Sequence, residues 1–308
     1  MNKNSKIALT AVTIIVIVVA LGASLYYLTG NPGATQTNAL VPAGNPPSGQ
    51  LKISGDVAAE ENLTISNLTQ MPLVNVTNTI KGETANYVGV TLTELLNQTG
   101  ASWDAGNINV IAGDGYTKTI NTYQAYNSTQ YNGQEYILAF AKNGQWMDNS
   151  EGPLKLITPG LANAYNVMNV EEINLQPWVI TINGSVSHPM TLTGSNITSY
   201  EVKTVNAPFA PGGEPQRTSD WTGTTLWSIL QAAGVSSSAQ DVTITAIDGY
   251  SKTFTIQQVQ TTGMLVGFKE NGAYLKPVDG QPFRLFVPTE DFKWGNYWVR
   301  WITQITVS

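Results

Sequence analysis

The stretch that decides the fold occurs twice in the chain, as Ala112-Gly-Asp-Gly-Tyr-Thr-Lys-Thr119 and as Ala246-Ile-Asp-Gly-Tyr-Ser-Lys-Thr253. Apolar residues alternate before each Asp-Gly pair, which is typical of a strand with one buried face. Asp-Gly readily adopts the positive φ angles of a tight two-residue turn, and the tyrosine that follows begins a returning strand. Each copy therefore predicts a β-hairpin, and the repetition indicates a duplicated domain.

The similarity between the two copies extends to both sides of the hairpins. A Gly-x-x-Leu-x-x-Leu/Ile-Leu pattern precedes each hairpin and predicts a short helix that ends at a glycine, at residues 89–100 and 223–234. In the first of these helices, Thr91 and Glu94 have the spacing of a capping box. A Pro-x-Lys/Arg-Leu-x-x-Pro segment follows each hairpin, at residues 153–159 and 282–288. We therefore predict two homologous domains, at residues 51–176 and 177–308.

As an ordered set, these motifs resemble the sulfite-oxidase-type molybdopterin-binding domain, twice over from Leu51 to Ser308. The resemblance implies a sheet-rich α+β fold with short helices, in two tandem copies. It also implies a molybdenum-pterin redox centre, because one cysteine thiolate holds the metal in that family, in the segment after the second strand.

The chain departs from the family at this point, because it contains no cysteine. The corresponding stretches, residues 76–82 and 202–207, offer no thiol and no serine or aspartate obviously placed to substitute for one. The standard molybdenum site is therefore excluded, and we expect no cofactor. A molybdopterin held without a thiolate is the alternative.

The composition excludes several classes of protein. The formal net charge is −6 and only 12% of the residues are charged, which argues against nucleic-acid binding through phosphate neutralisation. Without cysteine, the chain can form neither a disulfide framework nor a thiolate nucleophile. The one histidine, His188, has no accompanying nucleophile motif or set of metal ligands, so we expect it in a loop or at a strand edge.

The N-terminal region predicts a membrane anchor. Residues 7–28 carry no charge and are long enough to cross a bilayer, whereas Lys3 and Lys6 precede them and place residues 1–6 in the cytoplasm. Residues 29–50 form a linker rich in glycine and proline. We expect a single-pass protein of the cell membrane with both domains outside the cell; a cleaved signal peptide is the alternative.

Seven Asn-x-Ser/Thr sequons lie in the part of the chain that this topology exposes. We expect several of them to carry glycans: Asn62, Asn67, Asn75, Asn97, Asn127, Asn183 and Asn196.

The candidate pocket residues come from the hairpins and from the second domain's cations. The family resemblance places the Asp-Gly-Tyr turns near the rim of the pterin pocket, which makes candidates of Asp114, Tyr116, Asp248 and Tyr250. The alternative is that these residues only form and pack the turns. Arg217 and Arg284 belong to a group of cations in the second domain that would suit an anion, or would pair with nearby carboxylates. We therefore expect the second domain to be the one that retains a pocket.

The segment from Lys293 to Trp301 is dense in aromatic residues. Such residues either form an exposed surface that binds sugars or partner proteins, or pack in the core or at the domain interface.

Together these patterns predict a membrane-anchored extracellular protein of molybdopterin-oxidoreductase-like fold that is not an enzyme. We expect it to bind an envelope protein or a glycan, or to self-assemble on the envelope, without a nucleic-acid partner. One alternative is a molybdopterin-dependent oxidoreductase or electron-transfer protein with a non-cysteine metal site. The other is a glycosylated structural coat or filament subunit.

Overall fold

The structure, a computed structural model, describes residues 40–148, 150–212 and 214–308. The predicted cytoplasmic segment 1–6, the predicted membrane span 7–28 and the first half of the predicted linker, residues 29–39, lie outside these residues. Within the described ranges, no helix combines the length and the apolar character needed to cross a bilayer.

The first domain contains two five-stranded sheets. One has the strand order β2-β1-β10-β5-β6; the other has the order β3-β4-β7-β8, and β9 pairs with β7. The strands are β1 Gln50–Gly55, β2 Glu61–Thr64, β3 Leu73–Ile80, β4 Glu83–Thr91, β5 Ala105–Ala112, β6 Thr117–Asn121, β7 Ile137–Lys142, β8 Gln145–Trp146, β9 Lys155–Ile157 and β10 Val170–Pro177. The short helices are α1 Ile65–Leu68, α2 Leu92–Gln98, α3 Thr122–Tyr126 and α4 Thr129–Asn132.

The second domain repeats this arrangement with the sheets β12-β11-β20-β15-β16 and β13-β14-β17-β18, and β19 pairs with β17. Its strands are β11 Ile180–Gly184, β12 Met190–Leu192, β13 Val202–Phe209, β14 Arg217–Thr225, β15 Asp241–Ala246, β16 Ser251–Thr255, β17 Leu265–Glu270, β18 Ala273–Tyr274, β19 Arg284–Phe286 and β20 Ile302–Val307. Its α-helices are α5 Leu226–Ala232 and α6 Ile256–Thr262. The predicted α+β, sheet-rich architecture with two tandem domains is confirmed.

The hairpins predicted from the repeated stretch are β5–β6 and β15–β16, both antiparallel. Their connection is longer than the expected two residues. The Ala112 N–H donates to the Tyr116 carbonyl over 2.8 Å, which leaves three residues in the loop. Of these, Gly115 has a positive φ of 85°. The Asp114 carboxylate accepts the Tyr116 N–H at 2.9 Å and thereby stabilises the turn.

Helix α2 begins where the sequence predicts. The Thr91 hydroxyl accepts the Glu94 N–H at 3.0 Å, which satisfies one of the free donors of the first turn. The Glu94 carboxylate accepts a bond from Gln98 at 2.7 Å, one turn further along the helix. The N-cap is therefore present without the reciprocal bond of a full capping box, and Gly100 follows the helix with a φ of 65°.

Side chains of the first domain pack directly on the second. The Trp103 ring stacks on Tyr274 with a centroid separation of 4.4 Å, and its carbonyl accepts a bond from Gln281 at 2.8 Å. Asp104 accepts the Gly194 N–H at 2.8 Å. These contacts join the two domains directly.

Candidate functional site

A cavity of about 700 Å³ opens beside the first repeated hairpin; we call it the first-domain cavity. Asp114 and Tyr116 of the hairpin lie on its wall. The rest of the wall comes from the adjoining ends of β3 and β4, the end of β7, the start of β9 and the segment that precedes β10. The predicted residues Asp114 and Tyr116 are therefore brought together at one concave surface.

A chain of alternating charges lies in the wall of this cavity. Lys142 at the end of β7 contacts Glu151 at 2.7 Å and Glu83 at 3.0 Å. Glu151 also binds Lys155, whose side chain is only 5% exposed. Lys155 in turn lies 5.8 Å from the centre of the Tyr87 ring. The network holds two ammonium groups and two carboxylates, so the cations are fixed in place without a net charge.

The pKa values of these groups follow from this pairing. Hydrogen bonds to Glu151, and then to Glu83, raise the pKa of Lys142 above its usual value. Burial by itself raises the pKa of Glu151, but hydrogen bonds from Lys142 and Lys155 outweigh it and hold the pKa below its usual value. Burial raises the pKa of the Tyr87 hydroxyl. At neutral pH, Glu151 is therefore a carboxylate, Lys142 an ammonium and Tyr87 a neutral phenol.

The hairpin tyrosine is held from two sides. Its hydroxyl donates to the Ala164 carbonyl at 3.0 Å, and the ring, 45% exposed, faces the Lys118 ammonium group at 5.6 Å. In the second domain, Tyr250 makes the same bond to the Asn296 carbonyl at 2.5 Å. The tyrosine therefore fastens the hairpin to the segment before the last strand in both domains and still presents one ring face.

The corresponding region of the second domain contains a much smaller cavity. Asp248 and Tyr250 border a cavity of about 290 Å³, less than half the volume of the first-domain cavity. Beneath it lies a cluster of buried rings, in which Trp298 lies 4.6 Å from Phe209 and 4.9 Å from Trp221. The two hairpins thus border separate cavities, and the larger one is in the first domain rather than in the second, where we expected it.

The two candidate arginines of the second domain are engaged by its own residues. Arg284 is 5% exposed, lies over the Phe209 ring at 4.3 Å and donates to the Asp279 carbonyl at 3.2 Å. Burial lowers its pKa, and repulsion from Arg300 adds to this effect. Arg217 binds the Glu270 carboxylate with two nitrogens, at 2.9 and 3.3 Å. Neither arginine borders the second domain's cavity.

Comparison with known proteins identifies the family. The model of the oxidoreductase molybdopterin binding domain matches the chain twice, over residues 38–177 and 167–308. The chain belongs to this family. The suspected sulfite-oxidase-type resemblance is thereby confirmed.

Two nitrate reductases are among the relatives of the chain, and both are longer than the chain itself. A nitrate reductase [NADPH] from Phytophthora infestans is 31% identical over 52% of the chain, and a nitrate reductase [NADH] from Ulva prolifera is 27% identical over 42%. The matches span only 21% and 18% of those two relatives. Among solved structures, the sulfane dehydrogenase SoxCD from Paracoccus pantotrophus matches with 21% identity and a TM-score of 0.39, over 46% of the chain and 41% of that structure.

The expectation of no cofactor is wrong, because both domains belong to a family that is described by molybdopterin binding. The missing thiol excludes one metal ligand but does not by itself exclude binding of the organic part of such a cofactor.

The first-domain cavity fits the organic part of a molybdopterin. Its volume of about 700 Å³ lies within the range of roughly 300–1,000 Å³ that is typical of cofactor sites. Lys142 and Lys155 offer ammonium donors for a phosphate, and Tyr116, which is 45% exposed, offers a ring face. For the metal, the charged wall offers the carboxylate oxygens of Glu83 and Glu151, which pair with Lys142 in this structure. Such hard donors differ from the family's thiolate.

The central part of the first-domain cavity was not predicted from the sequence, namely Tyr87, Lys142, Glu151 and Lys155. A signal for Lys155 was present, because the segment 154–157 is apolar apart from this lysine, and its last three residues form the buried strand β9. A lysine in such a strand requires a buried partner. Glu151 lies in a loop with no pattern that would point to it.

His188 and the aromatic segment 293–301 do not line the first-domain cavity. His188 is exposed, in the turn after β11, with its ring 2.9 Å from the Ser187 hydroxyl. The aromatic residues of the segment 293–301 differ in exposure: Trp294 is 56% exposed, whereas Trp298 and Trp301 are buried. Within the described ranges, no group of three or more histidine, cysteine, aspartate or glutamate residues is placed to hold a metal ion.

The seven sequons also differ in accessibility, and their glycosylation stays a prediction. Four of the asparagines are exposed and three are partly buried. In the second group, the side-chain amide groups of Asn127 and Asn196 donate to backbone carbonyls at 2.8 and 3.0 Å. The exposed sites are Asn62, Asn67, Asn75 and Asn97, and the partly buried ones are Asn127, Asn183 and Asn196.

Proposed function

We propose that this protein is a molybdopterin-binding redox protein, an oxidoreductase or an electron-transfer protein, whose cofactor lies in the first-domain cavity without a cysteine ligand. The observation that carries this proposal is the partly buried ion-pair network of Lys142, Glu151 and Lys155 in a cavity of suitable volume beside the repeated hairpin. Family membership supports the redox class over the non-catalytic role that we first expected. The two nitrate reductases among its relatives support the same class.

The chain's own residues would bind and orient the cofactor. The Lys142 and Lys155 ammonium groups would donate to an anionic group such as a phosphate, and Glu151 keeps the two cations apart and charged. The Tyr116 ring closes one side of the cavity, because its hydroxyl is fixed to the Ala164 carbonyl. When bound, a molybdenum-pterin group supplies redox chemistry for which side chains alone have no equivalent.

We further propose that residues 7–28 anchor the chain in the cell membrane with both domains outside. The apolar run and the two preceding lysines support this topology. A redox protein in this position would exchange electrons with another envelope protein. An envelope or glycan partner, self-assembly and a coat or filament role remain hypotheses from the sequence.

The proposal is tested by purifying the full chain from a host that synthesises molybdopterin. Metal analysis should find molybdenum or tungsten bound to the chain, and the released, oxidised pterin should fluoresce. The Lys155→Gln variant should lose most of the pterin, whereas Lys203→Gln, which changes an exposed lysine of the second domain, should keep it. Wild-type protein without pterin or metal from such a host would refute the proposal.

A second assay separates the two redox roles. Purified chain is mixed with a chemically reduced dye and with nitrate, the substrate in the names of its relatives. Oxidation of the dye that depends on nitrate indicates an enzyme, whereas reduction of the chain without turnover indicates an electron-transfer protein.

A further inference from the structure

The two domains can be compared position by position, because their strands pair in the same register. Ile80 ends β3 opposite Glu83, as Phe209 ends β13 opposite Arg217. The short strands β9 and β19 pair with β7 and β17 in the same way. The segment before the last strand ends in each domain at a residue with positive φ, Asn169 or Trp301. These shared features identify which residue of the first domain is equivalent to which residue of the second.

At four equivalent positions around the site, the second domain has the larger side chain. Ile80 corresponds to Phe209, Tyr87 to Trp221, Ile157 to Phe286 and Asn166 to Trp298. In addition, Lys155 at the start of β9 corresponds to Arg284 at the start of β19.

The four larger side chains are in mutual contact. Trp221 lies 4.9 Å from both Phe286 and Trp298, and Phe286 lies 5.6 Å from Trp298. The Arg284 guanidinium covers the Phe209 ring at 4.3 Å and reaches the Trp298 ring at 5.8 Å. All five residues are at most 5% exposed. Because protein interiors are close-packed, side chains in this arrangement leave no room for a ligand among them.

We infer that each chain binds one molybdopterin, in the first domain only, because the second domain fills the equivalent space with its own aromatic residues and Arg284. This inference rests on the function proposed above. In this inference the second domain has no space for a ligand at the equivalent position. It packs against Trp103 of the first domain. The duplication thus produced one binding domain and one supporting domain.

The first test is the stoichiometry of the full chain, purified from a host that synthesises molybdopterin. Released pterin is measured against the protein concentration from amino-acid analysis. One equivalent per chain is expected. Two equivalents would overturn the inference and leave the proposed function standing, whereas no pterin at all would overturn both.

The second test locates the site with a matched pair of variants, Tyr116→Ala and Tyr250→Ala. The two tyrosines are 45% and 43% exposed and bond to equivalent backbone carbonyls, so both variants should remain folded to the same extent. Tyr116→Ala should weaken pterin retention during dialysis roughly tenfold, and Tyr250→Ala should leave it unchanged. Thermal unfolding checks that both variants remain folded. The opposite pattern, or equal loss from both, would overturn the assignment to the first domain.

Discussion

At the scale of the residue, Glu151 decides the electrostatics of the first-domain cavity. It is the shared partner of Lys142 and Lys155, and its side chain is 24% exposed. If the carboxylate were removed, Lys155 would keep its position in the wall with no other ion pair that the structure shows. A buried charge that loses its partner is strongly destabilising.

We therefore predict that Glu151→Gln lowers the free energy of unfolding at pH 7 by about 2 kcal/mol, somewhat less than for a fully buried pair. Urea denaturation measures this change. Glu60→Gln is the control, because Glu60 is 61% exposed and pairs with Lys52 only at the surface. An equal effect of the two substitutions would contradict this account of the network.

The same residue gives a pH dependence. The pKa of Glu151 is lower in the folded chain than its usual value of 4.5, so the unfolded chain binds the proton more readily. Its contribution to stability is present above that usual value and is lost as the pH falls through the folded pKa. Between pH 6 and pH 3, the wild type should therefore lose more stability than Glu151→Gln does. Parallel curves for the two proteins would show that the carboxylate is not stabilised by its lysines.

At the scale of the element, the two hairpins are close copies. Asp114 and Asp248 accept the N–H of the tyrosine two residues later, at 2.9 and 3.0 Å, and both side chains are exposed. Because the two turns have the same geometry, equal substitutions should have equal effects on stability.

We predict that Asp114→Ala and Asp248→Ala each lower the free energy of unfolding by about 1 kcal/mol, the typical net value of one hydrogen bond. Thermal or urea unfolding of the two variants measures it. A difference of more than about 1 kcal/mol between them would show that the turns are not equivalent.

The elements were also the part of the fold that the sequence predicted best. The hairpins and the N-cap at Thr91 depend on residues within a few positions of each other, so their patterns are visible in the chain. The cavity depends instead on which side chains fill a volume between distant segments. Asn166 and Trp298 occupy equivalent positions with opposite results, and no local pattern distinguishes them. Arg284 looked like an anion site in the sequence but is packed among rings.

At the scale of the whole molecule, Trp103 joins the two domains. Its ring contacts Phe268, Tyr274 and Phe283 of the second domain at centroid separations of 5.6, 4.4 and 5.5 Å. Replacement of this ring by a methyl group removes all three ring contacts and leaves a cavity between the domains.

We predict that Trp103→Ala lowers the free energy of unfolding by roughly 3 kcal/mol and separates one calorimetric transition into two, one for each domain. Trp294→Ala is the control, because Trp294 is 56% exposed and should change neither quantity. A single transition in Trp103→Ala at the wild-type temperature would show that other contacts hold the domains together.

The central claim is that one cofactor lies in the first domain beside Glu151 and Lys155. Diffraction from crystals of the cofactor-loaded chain, recorded at the molybdenum absorption edge, tests it most directly. We expect a single anomalous peak per chain, within the first-domain cavity. A peak among the rings around Trp298, or peaks in both domains, would contradict it.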